Sequence, residues 1–186
     1  MKVIIMKEAG YDEAIRGLSL SKGASIENAA KAAVRLSSMD GGHNKVLESI
    51  YVWLDVHASR YWWQEADTYR LSTKQSGSTM HTIQKRFLTQ EDFDRRIWPP
   101  TLTRLNYLLQ TYQELSKISL TSDESIEALV NLKNELPEGF LQERVWVMNY
   151  KCLRNILLQR TTHRLPHWKY FCETIRKTIQ HPELLP

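Results

Sequence analysis

A chain of 186 residues with 42% hydrophobic residues and six tryptophans is long enough for one packed domain, and residues 1–186 are read as a single domain. Its 25 basic and 21 acidic residues are interleaved along the sequence and give a formal charge of +4. That balance suits an anionic small ligand, makes a nucleic-acid partner a poor reading, and excludes a disordered chain.

The first element is the apolar run Val3-Ile4-Ile5-Met6 between Lys2 and Lys7, read as a short buried strand and too short for a signal peptide or a membrane span. With no later run approaching membrane length, the expectation is a cytoplasmic protein. A polar connection is expected up to Ser25. Ser25 then caps an alanine-rich helix through Leu36, with Gly41-Gly42 as its stop. His43 follows those glycines, where it serves either as a turn residue or as a ligand contact. Ile50 to Val56 is bulky and reads as a strand, and Arg60 to Asp67 as a short helix.

Behind Trp98-Pro99-Pro100, the spacing of Leu102, Leu105, Leu108, Leu109, Tyr112 and Leu115 predicts a long amphipathic helix. Ser122 or Asp123 caps another that runs to about Asn134, before Leu136-Pro137. Val145-Trp146-Val147 reads as strand. A helix carrying Leu153, Ile156 and Leu157 follows and ends at Arg160, where the helix dipole alone favours a cation. A last helix covers His167 to Ile179. Strand, helix, strand-like middle and several helices together imply an α+β fold, with helices flanking a sheet. The two cysteines, Cys152 and Cys172, have no zinc-binding spacing, so no metal is expected and both are read as buried thiols of a reducing compartment. There is no glycine-rich phosphate loop and no nucleophile elbow.

The densest run of hydrogen-bonding side chains is Thr68 to His81, directly after the aromatic Tyr61-Trp62-Trp63. On its own it is either a solvated loop or a ligand-facing segment. Within it Thr68-Tyr69-Arg70, seven residues and Ser78 resemble the signature Arg-His-Arg, seven residues, Ser of the flavin-dependent thymidylate synthases, with Arg70 and Ser78 matching. Gly42-His43 followed by Glu48 is similar to that family's upstream motif. Lys133, Leu136-Pro137, Trp146, Asn149-Tyr150-Lys151, Asn155 and Arg160 follow in the family's order.

The resemblance covers residues 42 to 170 and implies a central, mostly antiparallel sheet flanked by helices, in a homotetramer. It implies FAD as cofactor, NADPH and methylenetetrahydrofolate as cosubstrates, and methylation of a pyrimidine deoxynucleotide, dUMP to dTMP. By position it puts His43, Arg70, Asn149 and Asn155 against FAD; Lys133, Gln75, Ser78 and Arg160 on the nucleotide; and Ser78 and Arg160 in the catalytic roles. The frame is broken where Thr68-Tyr69 stands for Arg-His and Met80-His81 for Arg-Tyr, which removes guanidiniums worth roughly 1.5–3 kcal/mol per charge-assisted bond. Two other readings stay open. One is a catalytically degenerate nucleotide-binding or interaction protein of this fold. The other is a basic nucleic-acid binder using Lys85-Arg86, Arg95-Arg96 and Arg164.

Overall fold

A computed structural model describes residues 1–77 and 82–186 of the chain. The architecture is α+β: an antiparallel sheet of four strands, flanked by helices. The strands are β1 (Lys2–Ala9), β2 (Tyr51–Ser59), β3 (Ser72–Ser76) and β4 (Leu141–Asn149), in the order β1-β2-β4-β3. The helices are α1 (Tyr11–Lys22), α2 (Ile26–Ser37), α3 (Arg60–Ala66), α4 (Pro99–Ile118), α5 (Asp123–Glu135), α6 (Tyr150–Arg160) and α7 (Pro166–Thr178). Among the described residues no helix is long and apolar enough to cross a membrane.

Three expectations are corrected. The stretch before Ser25 is not a polar connection but contains α1, set between two glycines with positive φ, Gly10 (95°) and Gly23 (58°). At Gly10 a side chain would also run into the Ser49 carbonyl, so this bend requires glycine. The second helix, whose Ser25 hydroxyl accepts from the Asn28 amide as expected, stops at Ser37, short of Gly41-Gly42. Those glycines, with φ of 67° and 88°, shape the turn after it. Finally, the polar run after Arg70 is not loop throughout, since Ser72 to Ser76 forms β3. β3 ends the strand order, and polar side chains on an edge strand discourage pairing with other chains.

The chain divides into two compact units. One comprises Met1 with residues 57–65 and 76–143, including α4 and α5. Its core gathers Leu88, Phe93, Leu105, Leu109, Leu132 and Phe140, and Asn106 fixes the segment at Leu88 by exchanging hydrogen bonds with both its amide and its carbonyl. The other comprises residues 2–56, 66–75 and 144–186 and holds most of the sheet. Val52, Leu54 and Val56 of β2 are fully buried, as are Trp146 of β4, Leu153, Ile156 and Leu157 of α6, and Trp168, Phe171 and Ile175 of α7. The Phe171 ring lies 5.8 Å from Trp146 and 5.7 Å from Trp168. Within this unit β2, β4, α6 and α7 each turn an apolar face to the core, whereas β1, expected to be buried, has Val3 buried but Ile4 and Met6 exposed.

Candidate functional site

The second unit carries a cleft of about 530 Å³ with three walls: the turn at Asp40, Asn44 and Glu48; the strip Thr68 to Leu71; and the start of α6 with Asn149, Lys151, Cys152, Arg154 and Asn155. The α6 wall follows from one cap. Asn149 closes β4 and its Oδ1 accepts from the Cys152 amide at 2.9 Å, which sets the helix entry. Positions 149, 152 and 155 then recur three residues apart on one face, while Leu153, Ile156 and Leu157 turn to the core.

Two ion pairs tie the turn to α6. Lys151 Nζ is 2.6 Å from Glu48, and Arg154 reaches Asp40 at 3.4 Å while donating to the Ser38 carbonyl at 2.9 Å. The Lys151 hydrogen bond and charge hold the Glu48 carboxyl below the usual carboxylate range. Both acids of the lining are therefore matched by bases. Arg70 is exposed and has no ion pair among the described residues, so it is the cation open to an anionic ligand.

The amides of the cleft are oriented by their neighbours. Asn149 Oδ1 is committed to the Cys152 amide, and Asn155 Oδ1 accepts from Gln159 Nε2 at 3.1 Å. Each asparagine is left with its Nδ2 donor. Asn44, by contrast, is 3% exposed and its Oδ1 is buried without a hydrogen-bond partner. Leaving such an acceptor unpaired costs about 1–3 kcal/mol, which a donor on a ligand would recover. Cys152 is not a nucleophile here. Burial pushes its thiol up despite the Lys74 charge, which keeps it protonated at neutral pH.

Of the residues singled out in the sequence, Arg70, Asn149 and Asn155 line this cleft together. His43 does not: it is exposed and lines a separate recess of about 430 Å³ with Glu13 and Val46, while its neighbour Asn44 takes the cleft position. Gln75 is an exposed residue of β3 outside the lining. Lys133 belongs to the other unit, where it borders an apolar cavity of about 460 Å³ with Tyr112, Leu129 and Val130. Ser78, with Thr79, Met80 and His81, lies outside the described residues.

Arg160, at the last turn of α6, is held by the cleft residue Tyr69. Its Nε donates to the Tyr69 hydroxyl at 2.7 Å, and its guanidinium carbon lies 4.7 Å from the Trp168 ring. Tyr69 is buried at 7% exposure, so its ring packs in the protein rather than against a ligand face. Asn44, Asp40 and Lys151 were not singled out as ligand contacts in the sequence. The spacing 149, 152, 155 was the available signal for the α6 face, whereas nothing in the sequence marks Asn44 as buried.

The fold that carries this cleft is that of the flavin-dependent thymidylate synthases. The sequence matches no family model, and no curated protein is found that resembles it. By structure, the chain is similar over 100% of its length to thymidylate synthase X from Helicobacter pylori, solved with FAD and dUMP. The TM-score is 0.74 at 18% identity, covering 97% of that chain. A second structure of the flavin-dependent thymidylate synthase from Helicobacter pylori, also complexed with FAD and dUMP, gives a TM-score of 0.73 at 18% identity and covers 98% of that chain.

Proposed function

We propose that the protein is a flavin-dependent thymidylate synthase-like methyltransferase that binds FAD in this cleft and acts on a pyrimidine deoxynucleotide, converting dUMP to dTMP. The observation that carries the reading is the lining itself. Asn149 and Asn155 offer amide donors, and the buried Asn44 Oδ1 is an acceptor without a partner. An imide edge, in which an N–H stands between two carbonyls, complements that set, and a flavin ring has one. FAD would supply hydride transfer to the reaction.

In this reading the chain's own residues bind and orient. Asn149, Asn155 and Asn44 hold the ring edge, and Arg70 meets a phosphate of the cofactor. His43 is a cofactor contact that the resemblance alone implies, since it lines a separate recess. Arg160 is the cation for the nucleotide and the reaction, assisted by Gln75 of the same unit; the roles of Ser78, at the reacting centre, and of Lys133 are ones that the resemblance alone implies. NADPH and methylenetetrahydrofolate are the proposed cosubstrates, in one domain that assembles as a homotetramer. The single-domain reading is supported by the full-length match of this chain to one chain of each relative.

A second reading, a nucleotide-binding protein of this fold that has lost the reaction, is favoured by Tyr69. It stands at the histidine of the signature and is spent on holding Arg160. Two experiments separate the readings. Titration with FAD, followed by flavin fluorescence and visible absorption, should give saturable binding, and no uptake of FAD would defeat both the enzyme reading and the placement of the cofactor. Expression in a thymidine-requiring host should restore growth without thymidine if the reaction is kept, whereas FAD binding without rescue selects the second reading.

A further inference from the structure

Three hydrogen bonds around Tyr69 run in one direction. Arg160 Nε donates to the Tyr69 hydroxyl at 2.7 Å, the hydroxyl donates to Gln159 Oε1 at 3.0 Å, and Gln159 Nε2 donates to Asn155 Oδ1 at 3.1 Å. The first link can run only one way, because a guanidinium only donates. The Tyr69 oxygen accepts from Arg160, and its own proton is given to the Gln159 carbonyl oxygen. This leaves the Gln159 amide nitrogen facing Asn155. Asn155 Oδ1 is taken by that nitrogen, and its Nδ2 is left as the donor of a cleft-lining residue.

The relay starts from a rigid base. Tyr69 is buried, its ring stands edge-on to Trp168 at 6.1 Å, and the Arg160 guanidinium carbon lies 5.5 Å from the Tyr69 centroid and 4.7 Å from that of Trp168. A cation between two aromatic rings keeps its plane.

Building on the reading of the cleft as a ring-binding site, we propose that Tyr69 and Gln159 are positioning residues that join the cation Arg160 to the amide Asn155. The relay fixes Asn155 as a donor, so the ring must present an acceptor there. An anion that orders the Arg160 guanidinium also orders the relay, and so tightens the ring in the cleft; by linkage the ring tightens the anion by the same factor. A merely structural tyrosine would leave the mutual effect of the two ligands unchanged when its hydroxyl is removed.

The test is to titrate the full chain with FAD and with dUMP, alone and each in the presence of the other, for the wild type, Tyr69→Phe and Gln159→Ala. In the wild type each ligand should tighten the other several-fold. Tyr69→Phe should weaken dUMP by about tenfold, the effect of losing one hydrogen bond to a charged group, and both variants should abolish the mutual effect. No mutual effect in the wild type, or one that persists in both variants, overturns the relay. Gln159 is exposed, so its variant keeps the test open if Tyr69→Phe folds poorly.

A wild type that binds neither ligand defeats the functional reading instead. The relay is then judged on the nitrogen-15 spectrum, where the Arg160 Nε–H should exchange slowly in the wild type and fast in Tyr69→Phe. Unchanged slow exchange in that variant overturns it.

Discussion

The two compact units each contain a cavity of comparable size, about 530 Å³ in one and about 460 Å³ in the other, and the linings differ in kind. The cleft at α6 is walled by paired charges, two oriented amides and an orphaned acceptor. The cavity at α5 is walled by Tyr112, Leu120, Ile126, Leu129 and Val130, with Lys133 at its border. Volume alone therefore does not mark a site. What distinguishes the cleft is its set of charged and amide side chains, Arg70, Asn149 and Asn155 among them, whereas the α5 cavity is a mostly apolar wall that holds Gln84, Lys133 and the buried Ser125 hydroxyl.

That contrast predicts different responses to substitution. The largest effect belongs to the apolar unit: Leu109→Ala, at a fully buried position of α4, should cost about 2–5 kcal/mol in urea unfolding and leave the FAD affinity of the folded protein unchanged. Arg70→Ala should do the reverse. Its loss should weaken FAD by roughly 1.5–3 kcal/mol, read as a tenfold or greater rise in Kd, and leave the unfolding midpoint almost unmoved because the side chain is exposed.

Asn149 should fall between these two. Asn149→Ala removes the α6 cap and should cost about 1 kcal/mol of stability together with affinity. Asn149→Asp keeps the capping oxygen and puts a negatively charged oxygen in place of the amide donor, so stability should hold while FAD binding falls. Unchanged FAD binding in Asn149→Asp would show that Asn149 serves the helix alone.

The smallest effect concerns the strap between Glu48 and Lys151. The Glu48 carboxyl is held below the usual range, so its contribution is complete above the ordinary carboxylate pKa and is lost as the pH falls through the lowered value in the folded protein. The gap in melting temperature between the wild type and Glu48→Gln should be small at pH 7 and close as the pH is taken below about 4. A gap that widens in acid would contradict the assignment.

Much of the helical part of the fold was legible because its signals are local and strong. Pro99-Pro100 opens α4 and leucines at three-to-four spacing mark its buried face, while Ser122 caps α5 by accepting from the Ser125 amide. Helix α1 was hidden because it buries only Ala14, Ile15 and Ser19, while Leu20 is exposed and Gly17 interrupts the helical pattern. Gly10 and Gly23 were the marks of its ends. Strand β3 was hidden because Ser-Thr-Lys-Gln-Ser has no apolar alternation, as suits an edge.

The site was legible in part. Arg70, Asn149 and Asn155 could be singled out as residues and do line one cleft. Which way each amide faces depends on local partners, the Cys152 backbone and Gln159, but Gln159 is itself turned by Tyr69, 90 residues away, and that is a fact of tertiary structure. Tyr69 is the clearest case. In the sequence it is a departure from a signature; in the fold it is a buried acceptor for Arg160 and a donor to Gln159.

The central claim is that the α6 cleft is a ring-binding site defined by its amide donors, and one titration tests it most directly. FAD is added to the wild type and to the variant carrying both Asn149→Asp and Asn155→Asp, with flavin fluorescence as the signal and the unfolding midpoint as the control. Saturable binding by the wild type, with affinity lost in the variant at unchanged stability, is the expected result. Equal binding by both proteins, or none by the wild type, would contradict the claim.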